Sequence, residues 1–559
     1  MHFRRDGQRN LPTPALVDDR NSVPISPQLS AIPSAQRELT PADSGPRSDE
    51  EAGYYGDYSM LLPQEPSSTT PLADHLQNRI MPATEAILKV TEADVLPKPA
   101  LREALIDSFF DHLYYRFPLV ERQELSGPDA SVLLIQAVCM SGSQMRHWDS
   151  SGISLTQSLY EKVKTLIHLR HEPDSMKVLK AMCLLSTWSP NPSESLSLDS
   201  PWHWTGQAIR LAIQMGMHRK SSYSKKPDVA CRRRIWWLLF VGDKLQCACF
   251  CRPANIKSTD CDIPPISLDD FGVHDTHSRV FIHITQLCII LGKIADYSTE
   301  KLTPKQDGMA KLTQSLCAWL RELPEDLRLF DSSGIRNPYR LHVLEVHIIY
   351  FSALILLQAS EARSGKEWST AGLSIIASSC IARLYEQIYY HGHVHFLLPI
   401  DAFYCMVSAV PQIYHRPSHG PGTDIRHEEL DIIRSVIKQL QTRFGGATTV
   451  SRNISKLTRE VECLEASSVP PGSISVQTTG VSSAWKPSIM NQYALELFPF
   501  PLSLCPNMAL LSQLNMSELP PDERSQLDMD YLAEWTFDEP QYLLDIFSLM
   551  SEESITRSQ

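Results

Sequence analysis

No cysteine precedes Cys139 in this 559-residue chain, and the thirteen present are scattered as far as Cys505 without a regular interval. That excludes a disulfide framework and, with the chain's size, points to a reducing compartment. The start, MHFRRDGQRNLPTP, has no apolar stretch behind its charges, so no secretory pattern is visible. No uninterrupted apolar run reaches the ~18 residues of a membrane span. The expectation is a soluble intracellular protein with no membrane partner. Strand-like alternation with hairpin turns is scarcely found, and no repeat recurs at a period of ~20–50 residues. Signatures of catalysis are missing too: there is no G-x-S-x-G, phosphate-binding loop, dinucleotide glycine pattern, H-E-x-x-H or kinase set.

What is present is uneven. The formal net charge is −12, yet residues 515–559 alone hold eleven acids against Arg524 and Arg557. The acidity therefore belongs to a tail, and the overall balance does not suit a protein that coats nucleic acid. Hydrophobic content of 43% is ordinary for a globular protein able to bury a sizeable core.

Four regions follow from the texture of the sequence. Residues 1–84 are a Pro/Ser-rich arm: ten of the 39 prolines fall between Pro12 and Pro71, and too few apolar residues accompany them to offset ordering. Residues 85–445 are predicted to be one all-α domain of about a dozen helices. It opens with LREALIDSFFDHLYYRF and continues at roughly 129–144, 152–171, 174–188, 201–217, 228–248, 277–298, 307–322, 340–361, 368–390, 397–414 and 427–444. Residues 446–514 are predicted to be a linker with short helices, one of them near Ile454–Ala466. Residues 515–559 set Trp535, Phe537, Leu543, Leu544 and Phe547 among acids. That pattern suits a segment whose hydrophobes anchor in a partner's groove, although a plain acidic tail has the same composition.

Between Asp228 and Pro265 one stretch dominates. Asp228 is placed to cap a helix beginning at Val229. Arg232, Arg233 and Arg234 then lead into Trp236, Trp237 and an apolar run that belongs at the centre of a helical assembly. The arginines are either a solvated helix entry or an interaction surface; Arg219, Lys220, Lys225 and Lys226 lie nearby in sequence, and Arg4, Arg5 and Arg9 could touch phosphates without specificity. Asp243, beside Lys244, needs a partner in so apolar a setting, and Arg252, followed by Pro253, is the expected one.

These residues also resemble the signature of the fungal-specific transcription factor domain, the helical regulatory region of fungal zinc-cluster activators. YYRFPLVERQEL (114–125), PWHWTGQAIRLAIQMGMHRK (201–220) and WLRELPEDLRL (319–329) resemble further elements of that family in the right order. The chain departs from the family at Cys251, where glycine is usual. It also lacks a six-cysteine cluster ahead of Cys139, so no cofactor is expected, and zinc only if such a cluster precedes this sequence. The resemblance implies a nuclear regulator of RNA polymerase II genes, controlling those of one metabolic pathway, secondary metabolism among the options. Its partners would be transcription coactivators, a second copy or a zinc-cluster factor, and DNA directly or through that partner. The alternative is a regulatory partner that does not bind DNA itself.

Two constellations suggest chemistry less strongly than their spacing invites. In Cys247-Ala-Cys249-Phe-Cys251 neighbouring thiols point to opposed helix faces, so core packing is the expectation. His391-Gly-His393-Val-His395 sits between two helical patterns and is expected to be a helix end facing solvent. An all-α enzyme is the remaining rival. It would need an acid-rich helix to hold magnesium, whereas Asp260, Asp262, Asp269 and Asp270 lie in a proline-bounded loop.

Overall fold

The computed structural model describes residues 53–54, 82–146, 150–223, 226, 228–299, 306–362, 371–414, 416–417, 421–468, 489–507 and 535–536. The arm at 1–52, residues 55–81 and most of the tail lie outside this set. The described residues are helical almost throughout: α1 (82–91), α2 (Pro99–His112), α3 (Val132–Ser143), α4 (Ser150–His168), α5 (Ser175–Leu185), α6 (Pro201–Gln214) and α7 (Val229–Phe250). There follow α8 (Thr276–Thr299), α9 (Gln306–Arg321), α10 (Leu341–Ala362), α11 (Ala371–Tyr390), α12 (Ile400–Tyr414), α13 (Pro421–Leu440), α14 (Gly445–Ser468) and the single turn α15 (Ala494–Leu497). The predicted all-α class is the observed one. The exception is one short antiparallel contact of β1 (Arg416–Pro417) with β2 (Trp535–Thr536).

Helix starts follow local chemistry. Ser131, Asp174 and Ser200 each accept a backbone N–H of the first turn through their side chains, and Pro201 occupies a position where no N–H is needed. Successive helices then pack on one another, α2 on α3, α3 on α4 and α5, α6 on α7, and α7 on α8. Gly142 allows the first of these contacts, since a Cβ there would sit 1.9 Å from the Leu105 carbonyl oxygen. The chain continues through α10 and α11, and α11 and α12 receive α13 and α14.

α8 and α10 correct the expectation about apolar runs. Thr276–Ser298 and Leu341–Ser360 are long and apolar enough to cross a membrane, because single polar residues interrupt a run without lowering its average much. The α10 stretch is wholly buried inside the helical body, which accounts for its composition.

The body also runs past the boundary placed at residue 445. Gly445 and Gly446, read as a break, instead let α14 start against the loop after α5: the Gly445 N–H donates to the Ser189 carbonyl at 3.1 Å, and a Cβ would meet Asn191 backbone at 2.3 Å. Farther on, Met490, Leu497, Phe498, Leu504 and Cys505 are buried in the core. The Tyr350 hydroxyl donates to the Leu497 carbonyl at 2.9 Å, and the Phe498 ring lies parallel to that of Phe351. So the stretch expected as linker is largely part of the body. Within α14 the buried Ala447, Val450, Ile454 and Leu457 recur at helical spacing, whereas residues 489–507 pack through scattered side chains.

A polar network lies inside the apolar core. Arg116, from the Phe117-Pro118 entry segment, forms an ion pair with Glu345 of α10 and stands 3.8 Å from Asp401 of α12. Tyr115 and Tyr385 donate to Glu345 and Asp401 respectively. Burial pushes the Glu345 carboxyl up to about 7 against the pull of Arg116, and raises Asp401 as well. Arg443, after α13, reaches the carbonyls of His395 and Gln144. Segments remote in sequence are thereby joined through charges that would be costly to leave single.

Candidate functional site

α7 is the hub of the sequence features singled out above. Trp236 is 1% exposed, and its indole N–H donates to the Cys261 sulfur at 3.1 Å. Trp237 donates to the Pro264 carbonyl at 3.0 Å. Both tryptophans thus hold the acidic, proline-ended loop against the helix that precedes it.

The three arginines are neither a solvated entry nor a free surface. Arg232 donates to Asp228 at 2.8 Å. That contact engages the carboxylate expected as a cap, and Asp228 makes no capping hydrogen bond. Arg233 pairs with Asp270 at 3.2 Å and donates to the Pro265 carbonyl at 3.1 Å. Arg234, nearly buried, donates to the carbonyls of Pro118 at 2.8 Å and Asp270 at 2.5 Å, and to Glu121 at 2.7 Å. A guanidinium has the planar spread of donors for three such hydrogen bonds. It ties the Phe117-Pro118 segment to the loop at 268–270.

The expected Asp243–Arg252 pair does not form. Asp243, 1% exposed, accepts the Asn255 backbone N–H at 3.0 Å and its side-chain amide at 2.9 Å through Oδ1, and the Ile256 N–H at 3.0 Å through Oδ2. Lys244 Nζ lies 3.6 Å from Asp243 and donates to the Ile256 carbonyl at 2.6 Å. Arg252 instead lies over the rings of Phe250 and Trp202, 4.7 and 5.0 Å from their centroids. The geometry gives the reason. α7 ends at Cys251 with φ +50°, a left-handed turn that sends the chain back along the helix. Backbone amides then reach the carboxylate before the Arg252 side chain can. Pro253 follows the turn and is exposed, where its missing N–H is no loss. The same φ explains why glycine suits position 251, and Cys251 carries the cost of a Cβ in that conformation.

The remaining motif segments converge on this frame. Asp262 donates its N–H to the His218 carbonyl and accepts the Lys220 N–H at 2.7 Å. Asp326, from the 319–329 element, accepts from Arg279 of α8 at 2.7 Å, and α8 packs along α7. Asn255 escaped the reading of the sequence, while Pro118, Glu121 and Asp270 were seen only as parts of a motif or loop and not as partners of α7. Only Asp270 carried a local signal, because Ser267-x-x-Asp270 has the spacing of a capping box and forms one.

The suspected metal constellations behave as packing. Cys247 and Cys249 are buried and Cys251 is exposed, and burial pushes the Cys247 thiol up to about 12. His391 stacks on Tyr339 at 3.7 Å, the Tyr339 hydroxyl contacts His393 Nδ1 at 3.0 Å, and Gly392 takes φ +71°. Among the described residues no group of three His, Cys, Asp or Glu side chains could hold a metal ion. Among the described residues, then, no ligand set fits the zinc of a six-cysteine cluster. A cleft of about 260 Å³ between α4 and α6 is lined by Lys164, His168, Asp199, His203, Trp204 and Gln207. Its Lys164 is already paired with Glu161 at 2.7 Å and Asp199 at 3.3 Å. Of the expected tail anchors, Trp535 is placed only by its backbone, opposite Pro417. Phe537, Leu543, Leu544 and Phe547 lie outside the described residues.

Comparison with known proteins agrees with the convergence of these segments. The family model described as "Fungal specific transcription factor domain" matches residues 106–354. The acetamidase regulatory protein of Aspergillus fumigatus is 26% identical over 332 residues, covering 55% of this chain and 42% of that protein. Its counterpart from Emericella nidulans is 25% identical over 54% of this chain and 40% of its own length. Cutinase transcription factor 1 alpha of Fusarium vanettenii is 24% identical over 394 residues, covering 64% of this chain and 42% of that factor. Each match thus spans under half of the relative's length. No solved structure matches the chain. The family and the relatives' names point to transcription regulators, not to enzymes.

Proposed function

Because residues 106–354 carry a fungal specific transcription factor domain, we propose that this chain is a nuclear transcription regulator of RNA polymerase II genes. The observation that supports it best is the frame around α7, in which the family's separate sequence elements are hydrogen-bonded to one another. A body held in this way would serve as a scaffold that positions what is attached to it. The acidic segment at 515–559 is the attachment that would engage coactivators, through Trp535, Phe537, Leu543, Leu544 and Phe547. Genes of one metabolic pathway are the proposed targets. The relatives favour this, since the three described above are named for a single enzyme, acetamidase or cutinase. Secondary metabolism is one such pathway class.

A second reading is that the chain is a regulatory partner that does not bind DNA itself. The chain would then reach promoters through a complete zinc-cluster factor, as its partner. Chromatin mapping of the tagged full chain tests both. Occupancy at a small set of promoters is expected, with their transcripts falling when residues 515–559 are deleted. If the purified chain binds those promoter fragments alone, the partner reading fails. Without any promoter occupancy, the regulator reading fails.

A further inference from the structure

Cys380, in the middle of α11, and Cys505, near the end of the described C-terminal segment, bring their sulfurs to 3.0 Å. Both side chains are fully buried. Two thiols at rest stand farther apart than this, and a disulfide needs only about a further 1 Å of approach. The neighbourhood holds the two sulfurs in place. Leu497, Phe498 and Leu504 are buried around the same segment, and Tyr350 fixes its backbone through the Leu497 carbonyl.

We propose that Cys380 and Cys505 are a redox latch, a thiol pair that closes into a reversible disulfide and fastens the base of the acidic segment to α11. The acidic region begins at residue 515, soon after Cys505, so the bond would fix where that segment leaves the body. The oxidant is a hydroperoxide. One thiolate attacks a peroxide oxygen, the O–O bond breaks, and a sulfenic acid forms as hydroxide leaves. The second thiol attacks the sulfenic sulfur, the S–O bond breaks and water departs. Two thiols and one hydrogen peroxide thus give one disulfide and two waters. A dithiol reductant reverses the bond by exchange. Burial, which also pushes the Cys380 thiol well above its ordinary range, makes closure wait on opening of residues 489–507. The latch is therefore slow, and responds to sustained rather than brief oxidation.

The test uses the full chain, treated with hydrogen peroxide for minutes to hours. Remaining thiols are then alkylated in denaturant, and the digest is mapped by mass spectrometry. A peptide joining Cys380 to Cys505 is expected, reversed by dithiothreitol. The thermal midpoint should rise by about 5 °C, since the bond closes a long loop. Cys505→Ala should remove both effects. The inference is overturned if both thiols remain alkylatable, if Cys505 instead joins the exposed Cys251 or Cys463, or if the midpoint rises equally in the Cys505→Ala chain. The peptide map of the unaltered protein decides the matter even if that variant folds poorly.

Discussion

Tryptophan marks both α7 and the acidic segment, and the two settings are opposite. Trp236 and Trp237 are buried, with each indole N–H committed to the loop beyond the helix. Trp535 stands in sequence between Glu534 and, two residues after the adjoining Thr536, Asp538. The first kind of aromatic is held by partners inside the chain, so its loss is felt as stability. The second has acids for neighbours, so its loss should be felt in what the chain binds. The comparison sets a tryptophan that serves shape beside one proposed to serve recognition, and ties the difference to their neighbours.

The most severe way to sharpen that contrast is Asp243→Ala. It leaves the Asn255 and Ile256 amides without their acceptor and Lys244 without its counter-charge, at a cost of about 3–5 kcal/mol. Chemical denaturation should register that loss, and reporter activity should fall with the folded fraction. A variant as stable as the parent would break the contrast, because α7 would not then be the scaffold's hub.

Acidification acts on the body next. His347, wholly buried in α10, is held down to about 4 by desolvation. Its lowered value means that the unfolded chain binds a proton the folded chain refuses, so stability falls as pH drops below the ordinary histidine range. Between pH 7 and 5 this one group should cost about 2 kcal/mol. Buried Glu345 opposes it, since a raised carboxyl favours the folded state as pH falls through about 7. The clean readout is therefore the difference between the parent and His347→Leu in denaturation midpoint across that range. Parallel pH profiles would contradict a neutral buried imidazole.

The smallest expected effect runs the other way. Cys251→Gly relieves a Cβ at φ +50° and should stabilise the chain by about 1 kcal/mol, read as a higher thermal midpoint. A lower midpoint would mean that the Cys251 side chain contributes more than its backbone conformation costs.

Much of this architecture was legible before any coordinates. The helices from α2 to α13 are visible because amphipathic and apolar stretches between prolines have local signals. α1 was overlooked, a short helix with little buried surface. The importance of α7 could be read from an acid placed inside apolar sequence, but its partner could not. Arg252 looked right by charge, whereas the backbone of Asn255 and Ile256 does the work, and backbone amides are invisible in a sequence. Arg116, Glu345 and Asp401 were equally hidden, being joined only by folding across hundreds of positions. The packed stretch at 489–507 was read as linker for the same reason.

The central claim is a division of labour: a helical body that holds shape and an acidic segment that recognises coactivators. The direct measurement transfers residues 515–559 to a DNA-binding module with no activator of its own and reads a reporter gene. Reporter output well above background, lost on joint Trp535→Ala and Phe537→Ala substitution, is the expected result. Output that stays at background, or that ignores the aromatic substitutions, would contradict it.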